Sequence, residues 1–181
     1  LLVDSIPKSV ETIRWFCSAI EIATSNSYET TSSSDIAYSK RIPYGLCLAI
    51  LPWNDPMVLF AWKVIPALLL GNSVIVKPSE YSSGSALSFA KILYECGLPK
   101  QALSVVVGRD PEIFEYLLCS RKISVVSMTG STKTALTIQN IVSKSGFMKK
   151  LNFECGGKSP FLVSNFNSVD SIQNAAKTLV D

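Results

Sequence analysis

Glu154 is the side chain with the clearest chemical potential: in LNFECGGKSP, residues 151–160, it stands before a glycine pair, a lysine and a proline. A carboxylate can take a proton from water, and glycines let the backbone approach a ligand closely. Three upstream stretches have the same character, each an apolar run that ends in small or polar residues: LPWNDP at 51–56, VKPSE at 76–80 and MTGST at 128–132. In the first, the Asn54 amide can donate to a developing oxyanion or close an Asx-type turn. In the second, Lys77 and Glu80 flank Pro78 and Ser79, so both charges can reach one polyhydroxyl group such as a ribose, although a solvated loop has the same composition. In the third, Gly130 and Ser131 form a strand-to-helix turn that either seats a phosphate on backbone N–H groups or simply caps a helix.

Other chemistries are excluded by what the chain lacks. It has no histidine, which removes Ser-His-Asp triads, Cys-His dyads and His-ligated zinc. GGKS at 156–159 resembles the end of a P-loop, but the first glycine would fall at Asn152 and Pro160 stands where a helix should propagate. Lys158 is then a local structural charge or a group that orients the glycine turn. The five cysteines, Cys17, Cys47, Cys96, Cys119 and Cys155, are odd in number and contain no CxxC pair, which argues against a disulfide framework or a metal site and for a reducing cytoplasm. A net charge of +3, from 17 basic and 14 acidic residues spread along the chain, recommends neither nucleic acid nor an anionic membrane as partner. The apolar stretch 46–70 contains Pro52, Asn54, Asp55, Pro56, Lys63 and Pro66, so it does not read as a membrane span.

The elements that must position these residues can be read from periodicity. Residues 6–23 place Val10, Ile13, Trp15, Phe16, Ala19, Ile20 and Ala23 at helical spacing behind Pro7. A polar connection comes next, and IAYSKRIPYG alternates like an edge strand ending at Pro43. LCLAIL, SVIVK, LSVVV and ISVVSM are short apolar runs suited to parallel strands buried on both faces. Helices are expected between them over about 57–70, 82–96 and 111–119, and another opens at 130–132. MKKLNFE and SPFLVS read as further strands, and 168–180 as a helix. Strands alternating with helices predict an α/β, Rossmann-like doubly wound parallel sheet, whose ligands bind beyond the carboxyl ends of the strands.

Taken in order, PWN, GN, KPSE, GLP, TGST and ECGGK-P resemble the aldehyde dehydrogenase superfamily over 43–181, and more loosely from residue 1. The resemblance implies oxidation of an aldehyde to a carboxylic acid through a thioester, with NAD as cofactor and NADP as the second candidate. It implies that Asn54 is the oxyanion amide and Glu154 the general base. The implied cofactor-binding set is Ile50, Trp53, Lys77, Pro78, Ser79, Glu80, Gly108, Gly130, Ser131 and Cys155, with no metal. Glu80 favours NAD, because a carboxylate there repels a 2′-phosphate. Cys155 occupies the place of a usual leucine and is expected to be a small wall residue; the family's nucleophilic cysteine would lie beyond Asp181. Ala135 stands in place of a usual glycine, and Met128 in place of a phenylalanine.

The expected organisation is an N-terminal helix with linker and edge strand (1–42), a nucleotide-binding domain (43–154) and the start of a catalytic domain (155–181). A fragment boundary at Leu1, inactivity of this stretch alone, a cytoplasmic location and a homo-oligomer at full length are further expectations. Two alternatives stand beside this: a nucleotide-binding module with no catalysis of its own, and an acyl-CoA-forming aldehyde dehydrogenase.

Overall fold

The run LCLAIL forms the centre of the molecule because alternate residues of one strand are covered from opposite sides. In the computed structural model, which describes residues 2–23, 26–32, 34–160, 162, 164 and 168–180, α1 (Leu2–Glu21) precedes a small antiparallel ribbon of β1 (Ser27–Tyr28) and β2 (Ala37–Tyr38). Then come β3 (Leu46–Leu51), α2 (Pro56–Leu69), β4 (Ser73–Pro78), a single 3-10 turn (Glu80–Ser82), α3 (Ser83–Glu95) and β5 (Leu103–Val105). The second half is α4 (Pro111–Cys119), β6 (Ile123–Thr129), α5 (Thr132–Lys144), β7 (Lys150–Glu154) and α6 (Val169–Val180). The fold is α/β: five parallel strands in the order β5-β4-β3-β6-β7, flanked by helices.

Two cores sandwich this sheet. On one face Cys47, Ala49, Leu51, Val74 and Val76 meet α2 and α3, where Phe60 and Phe89 pack edge to face at 4.6 Å. On the other, Leu48, Ile50, Val126 and Met128 meet Leu117 and Leu118 of α4 and Ala135, Ile138 and Val142 of α5. The period-two side-chain direction of a strand produces this division, and double coverage explains why no polar residue interrupts LCLAIL. Ala135 packs in the second core rather than toward solvent. Gly71, at φ +80°, ends α2, and buried Asn72 ties that end to β3 by accepting from the Gly45 N–H (3.1 Å) and donating to Ala67 O (3.0 Å).

Three local expectations are corrected. The stretch 36–45 does not join the main sheet; only Ala37–Tyr38 pairs, with Ser27–Tyr28 in the separate ribbon. Residues 159, 160, 162 and 164 of SPFLVS form no strand, and 161 and 163 lie outside the described residues. Helix α1 begins at Leu2, so Pro7 lies inside it; of its expected apolar face, Ile13 and Phe16 pack on the core while Val10 and Trp15 remain exposed. No helix among the described residues is long and apolar enough to cross a membrane.

Candidate active site

The strand order reverses at β3. The chain proceeds through β4 and β5 on one side, then crosses back to β6 and β7 on the other. Loops leaving the carboxyl ends of β3 and β6 therefore diverge and leave a crevice between them. Two backbone hydrogen bonds fix its rim: the Ser79 N–H donates to Leu51 O (2.9 Å) and the Gly130 N–H to Glu154 O (3.0 Å). The first holds the KPSE turn against PWN, and the second holds TGS against the end of β7.

A cleft of about 350 Å³ lies in this crevice, lined by Ile50, Trp53, Lys77, Pro78, Ser79, Glu80, Gly130 and Ser131. Three separate strand ends thus share one surface. Leu51, Pro52 and Met128 complete the wall together with Phe114 of α4 and Thr129 and Thr134 at the β6–α5 junction; sequence reasoning misses the last three. Thr134 is legible in principle, three residues from Ser131 on the same helical face. Phe114 has no local signal, since it reaches the cleft only through the crossover of α4. A larger hollow of about 600 Å³ is lined by residues of α1 and α2 alone and contains none of the strand-end turns.

The Lys77 amine donates to Pro78 O (3.0 Å). Burial pushes its pKa below the usual lysine value, opposed by the nearby Glu80 carboxylate. Ser131 behaves as a true helix cap: its hydroxyl oxygen accepts from the Thr134 N–H (3.1 Å). The amides ahead of Thr134 belong to the helix start, where no residue of the same helix can accept from them. Thr129 Oγ1 is buried without a hydrogen-bond partner among the described residues, on the wall of the cleft. An orphaned hydroxyl, a helix N-terminus, a lysine and a glutamate around one cleft form a set of donors and acceptors that fits a dinucleotide with ribose and pyrophosphate groups.

The remaining selected residues lie outside the cleft wall. Asn54 is exposed, and its amide has no side-chain hydrogen bond among the described residues, so no Asx turn engages it. Glu154 is exposed at the last position of β7, opposite Thr129 in register. Cys155 is a free, exposed cysteine. Gly108 takes φ +128° after β5, a backbone conformation that favours glycine. A Cβ on Gly156 or Gly157 would meet nothing within 4 Å, and neither has positive φ; no contact within the described residues requires glycine there.

Two charged residues that sequence reasoning does not select lie beside residues of the site without lining the cleft. Lys63, in the apolar helix α2, donates to Ser127 Oγ (3.2 Å). Burial lowers its pKa, and Glu154 partly restores it. Arg109 pairs through Nε with Glu80 Oε1 at 3.0 Å, so the carboxylate expected to confront a 2′-phosphate carries a cation of its own. Lys63 has a signal, a cation within FAWKVIPALLL; Arg109 has none.

A model of the aldehyde dehydrogenase family matches residues 2–181. The chain is 42% identical over 153 residues, 84% of its length and 30% of the relative's, to D-glyceraldehyde dehydrogenase (NADP(+)) of Thermoplasma acidophilum. It is 41% identical to the NADP/NAD-dependent aldehyde dehydrogenase PuuC of Escherichia coli, over 97% of this chain and 34% of that one. The structure of P. syringae indole-3-acetaldehyde dehydrogenase in complex with NAD+ and IAA superposes with a TM-score of 0.81 and 34% identity, covering 87% of this chain and 31% of that one. The chain spans about a third of the length of the curated relatives it matches.

Proposed function

This chain belongs to the aldehyde dehydrogenase family, and on that premise we propose that it supplies the cofactor cleft, the oxyanion amide and the general base for NAD(P)-dependent oxidation of an aldehyde to a carboxylic acid. The observation that carries this is the convergence of the PWN, KPSE and TGST turns on one cleft at the reversal of strand order. In this reading residues 43–154 are the nucleotide-binding unit, and the segment after Glu154 begins the catalytic part.

The residues divide by chemistry. Ile50, Trp53 and Phe114 present apolar faces to a flat base. Lys77 and Glu80 address ribose hydroxyls as donor and acceptor. The α5 amides beyond Ser131, with Thr129 Oγ1, face the pyrophosphate. NAD(P), when bound, supplies the hydride acceptor. Asn54 has an uncommitted amide that can donate to the oxygen of the aldehyde as negative charge builds on it. Glu154 takes a proton from the water that hydrolyses an acyl thioester, and its exposure at the strand end leaves it open to that water. A hydrolytic outcome, and hence a carboxylic acid rather than an acyl-CoA, rests on this base.

Calorimetric titration with NAD and NADP tests the cleft. Lys77→Ala and Gly130→Val are each expected to weaken binding at least about tenfold, the loss of one charge-assisted contact or of close backbone approach. Unchanged affinity in both variants would defeat the assignment.

A further inference from the structure

The PWN turn is anchored at both ends, and only one anchor belongs to the cofactor cleft. From the turn after β4, the Ser79 N–H donates to Leu51 O (2.9 Å) and the Ser82 hydroxyl to Pro52 O (3.4 Å). From α1, the Ser5 hydroxyl donates to Asp55 Oδ1 at 2.9 Å, across 50 residues of chain. Trp53 and Asn54 lie between these anchors, and both are exposed. Pro52 and Trp53 line the cleft, whereas Asn54 and Asp55 do not. The α1 anchor therefore stands apart from the surface that takes the dinucleotide.

Local sequence does not require that anchor. Asp55 precedes Pro56 and is the N-cap residue of α2, a position where an aspartate ordinarily accepts from an amide of the first helical turn. Here its side chain makes no cap hydrogen bond and turns to α1 instead. Helix α1 is shaped to receive it. Ser5 and Ser9, four residues apart on one face, are only 8% and 1% exposed, and further along the same helix Ile13 and Phe16 pack on the first core. Ser9 bonds within the helix, donating to Ser5 O (2.7 Å), while the Ser5 hydroxyl reaches across. The buried stripe of α1 is thus polar where it meets the start of α2 and apolar where it meets the core.

We propose that Ser5 is a positioning residue for the Asn54 amide. The turn after β4 fixes Leu51 and Pro52, the Ser5–Asp55 bond fixes the other end, and the backbone that carries Asn54 is confined between them. A donor aimed at a developing oxyanion is effective only when its place is set before the charge appears, and a displacement of about 1 Å is enough to slow the reaction strongly. Asn54 meets the reacting oxygen, whereas Ser5 touches neither aldehyde nor cofactor and acts through Asp55. That role rests on Asn54 being the proposed oxyanion amide.

The test uses an active enzyme that contains this sequence and its Ser5→Ala, Asp55→Ala, Asn54→Ala and combined Ser5→Ala/Asn54→Ala variants, with Ser5→Thr and Asp55→Asn as conservative partners. The first-turnover rate of NADH formation at saturating aldehyde is read by rapid mixing, and NAD binding by calorimetry. Ser5→Ala and Asp55→Ala are each expected to lower that rate at least about tenfold while the Kd for NAD stays within about twofold of the wild type. Ser5→Thr keeps the hydroxyl and Asp55→Asn keeps an oxygen acceptor, so each is expected to recover part of the loss. In the Asn54→Ala background, Ser5→Ala is expected to have little further effect, because no amide is left to place. An unchanged rate in Ser5→Ala would overturn the proposal. So would an undiminished loss on top of Asn54→Ala, or an equal loss of NAD affinity, either of which leaves Ser5 as a general support of the fold. An unchanged rate in Asn54→Ala would instead defeat the oxyanion assignment on which the proposal stands.

Discussion

Gly130 should be sensitive even to a single added methyl, for a reason that lies below it as well as in the cleft. A Cβ built there falls 3.1 Å from Met128 Sδ, while Met128 itself is fully buried among the residues of the second core. At that distance the sulfur must give by a few tenths of an ångström, against the close-packed residues on its core side. Overpacking of this kind costs roughly 1–3 kcal/mol; Gly130→Ala belongs at the lower end and Gly130→Val, with two more carbons, at the upper. For a urea slope of about 2 kcal/mol/M, these become midpoint decreases of about 0.5 M and 1.5 M. Urea unfolding monitored by tryptophan fluorescence reads them directly. Met128→Ala alone should cost about 2–5 kcal/mol by leaving a cavity. Combined with Gly130→Ala it should cost less than the sum of the two, by at least about 0.5 kcal/mol, because truncation removes the obstacle. Strict additivity, or a Gly130→Val midpoint equal to that of the wild type, would refute the steric account.

The charges give two further expected outcomes. On the proposed function, Glu154→Gln in an active enzyme that contains this sequence should leave the first-turnover burst of NADH largely intact and slow steady-state turnover, measured by rapid mixing; loss of the burst would assign Glu154 another role. Lys63 has a folded pKa below its unfolded value of 10.5 because burial disfavours its charge. The unfolded chain then binds more protons as pH approaches 10.5 from below, so stability should rise with pH in that window. Lys77 and Lys149 are depressed by burial in the same sense, whereas buried Cys47 is raised and opposes them. Lys63→Met should therefore reduce the alkaline rise, as read by urea midpoints between about pH 7 and pH 9.5, without abolishing it; an unchanged slope would show that Lys63 is not desolvated.

How much of this fold is legible in the sequence depends on how local each signal is. LCLAIL, SVIVK and ISVVSM can be recognised as strands because coverage of both faces forces nearly every position to be apolar, a property written in consecutive residues. The 36–45 stretch alternates equally well, yet only two of its residues pair, since alternation describes a half-buried surface and does not name a partner strand. Strand order is illegible for the same reason: β3 pairs with β4 and with β6, and only the crossover of α4 creates the second pairing. The cleft residues that can be read, among them Lys77, Glu80, Gly130 and Ser131, lie at the ends of strands or in the turns that follow them. Phe114 cannot, because it enters from α4, and neither can the Arg109 partner of Glu80, which comes from the loop after β5.

The charges around the cleft are ordered in a way that the chain's net charge does not convey. Lys77 is partly buried, and a desolvated ammonium alone would tend to lose its proton. Glu80 counters that tendency, but a simple lysine–glutamate pair would leave the cleft with no net charge to meet a pyrophosphate. Arg109, bound to the outer side of Glu80, makes the group a cation–anion–cation row with one positive charge in excess. Each neighbour has a different effect: the carboxylate opposes the fall in the Lys77 pKa that burial causes, and the arginine offsets the charge of that same carboxylate. The chain's formal net charge of +3 could not reveal this, because the row depends on two turns that meet only after β4 and β5 have paired.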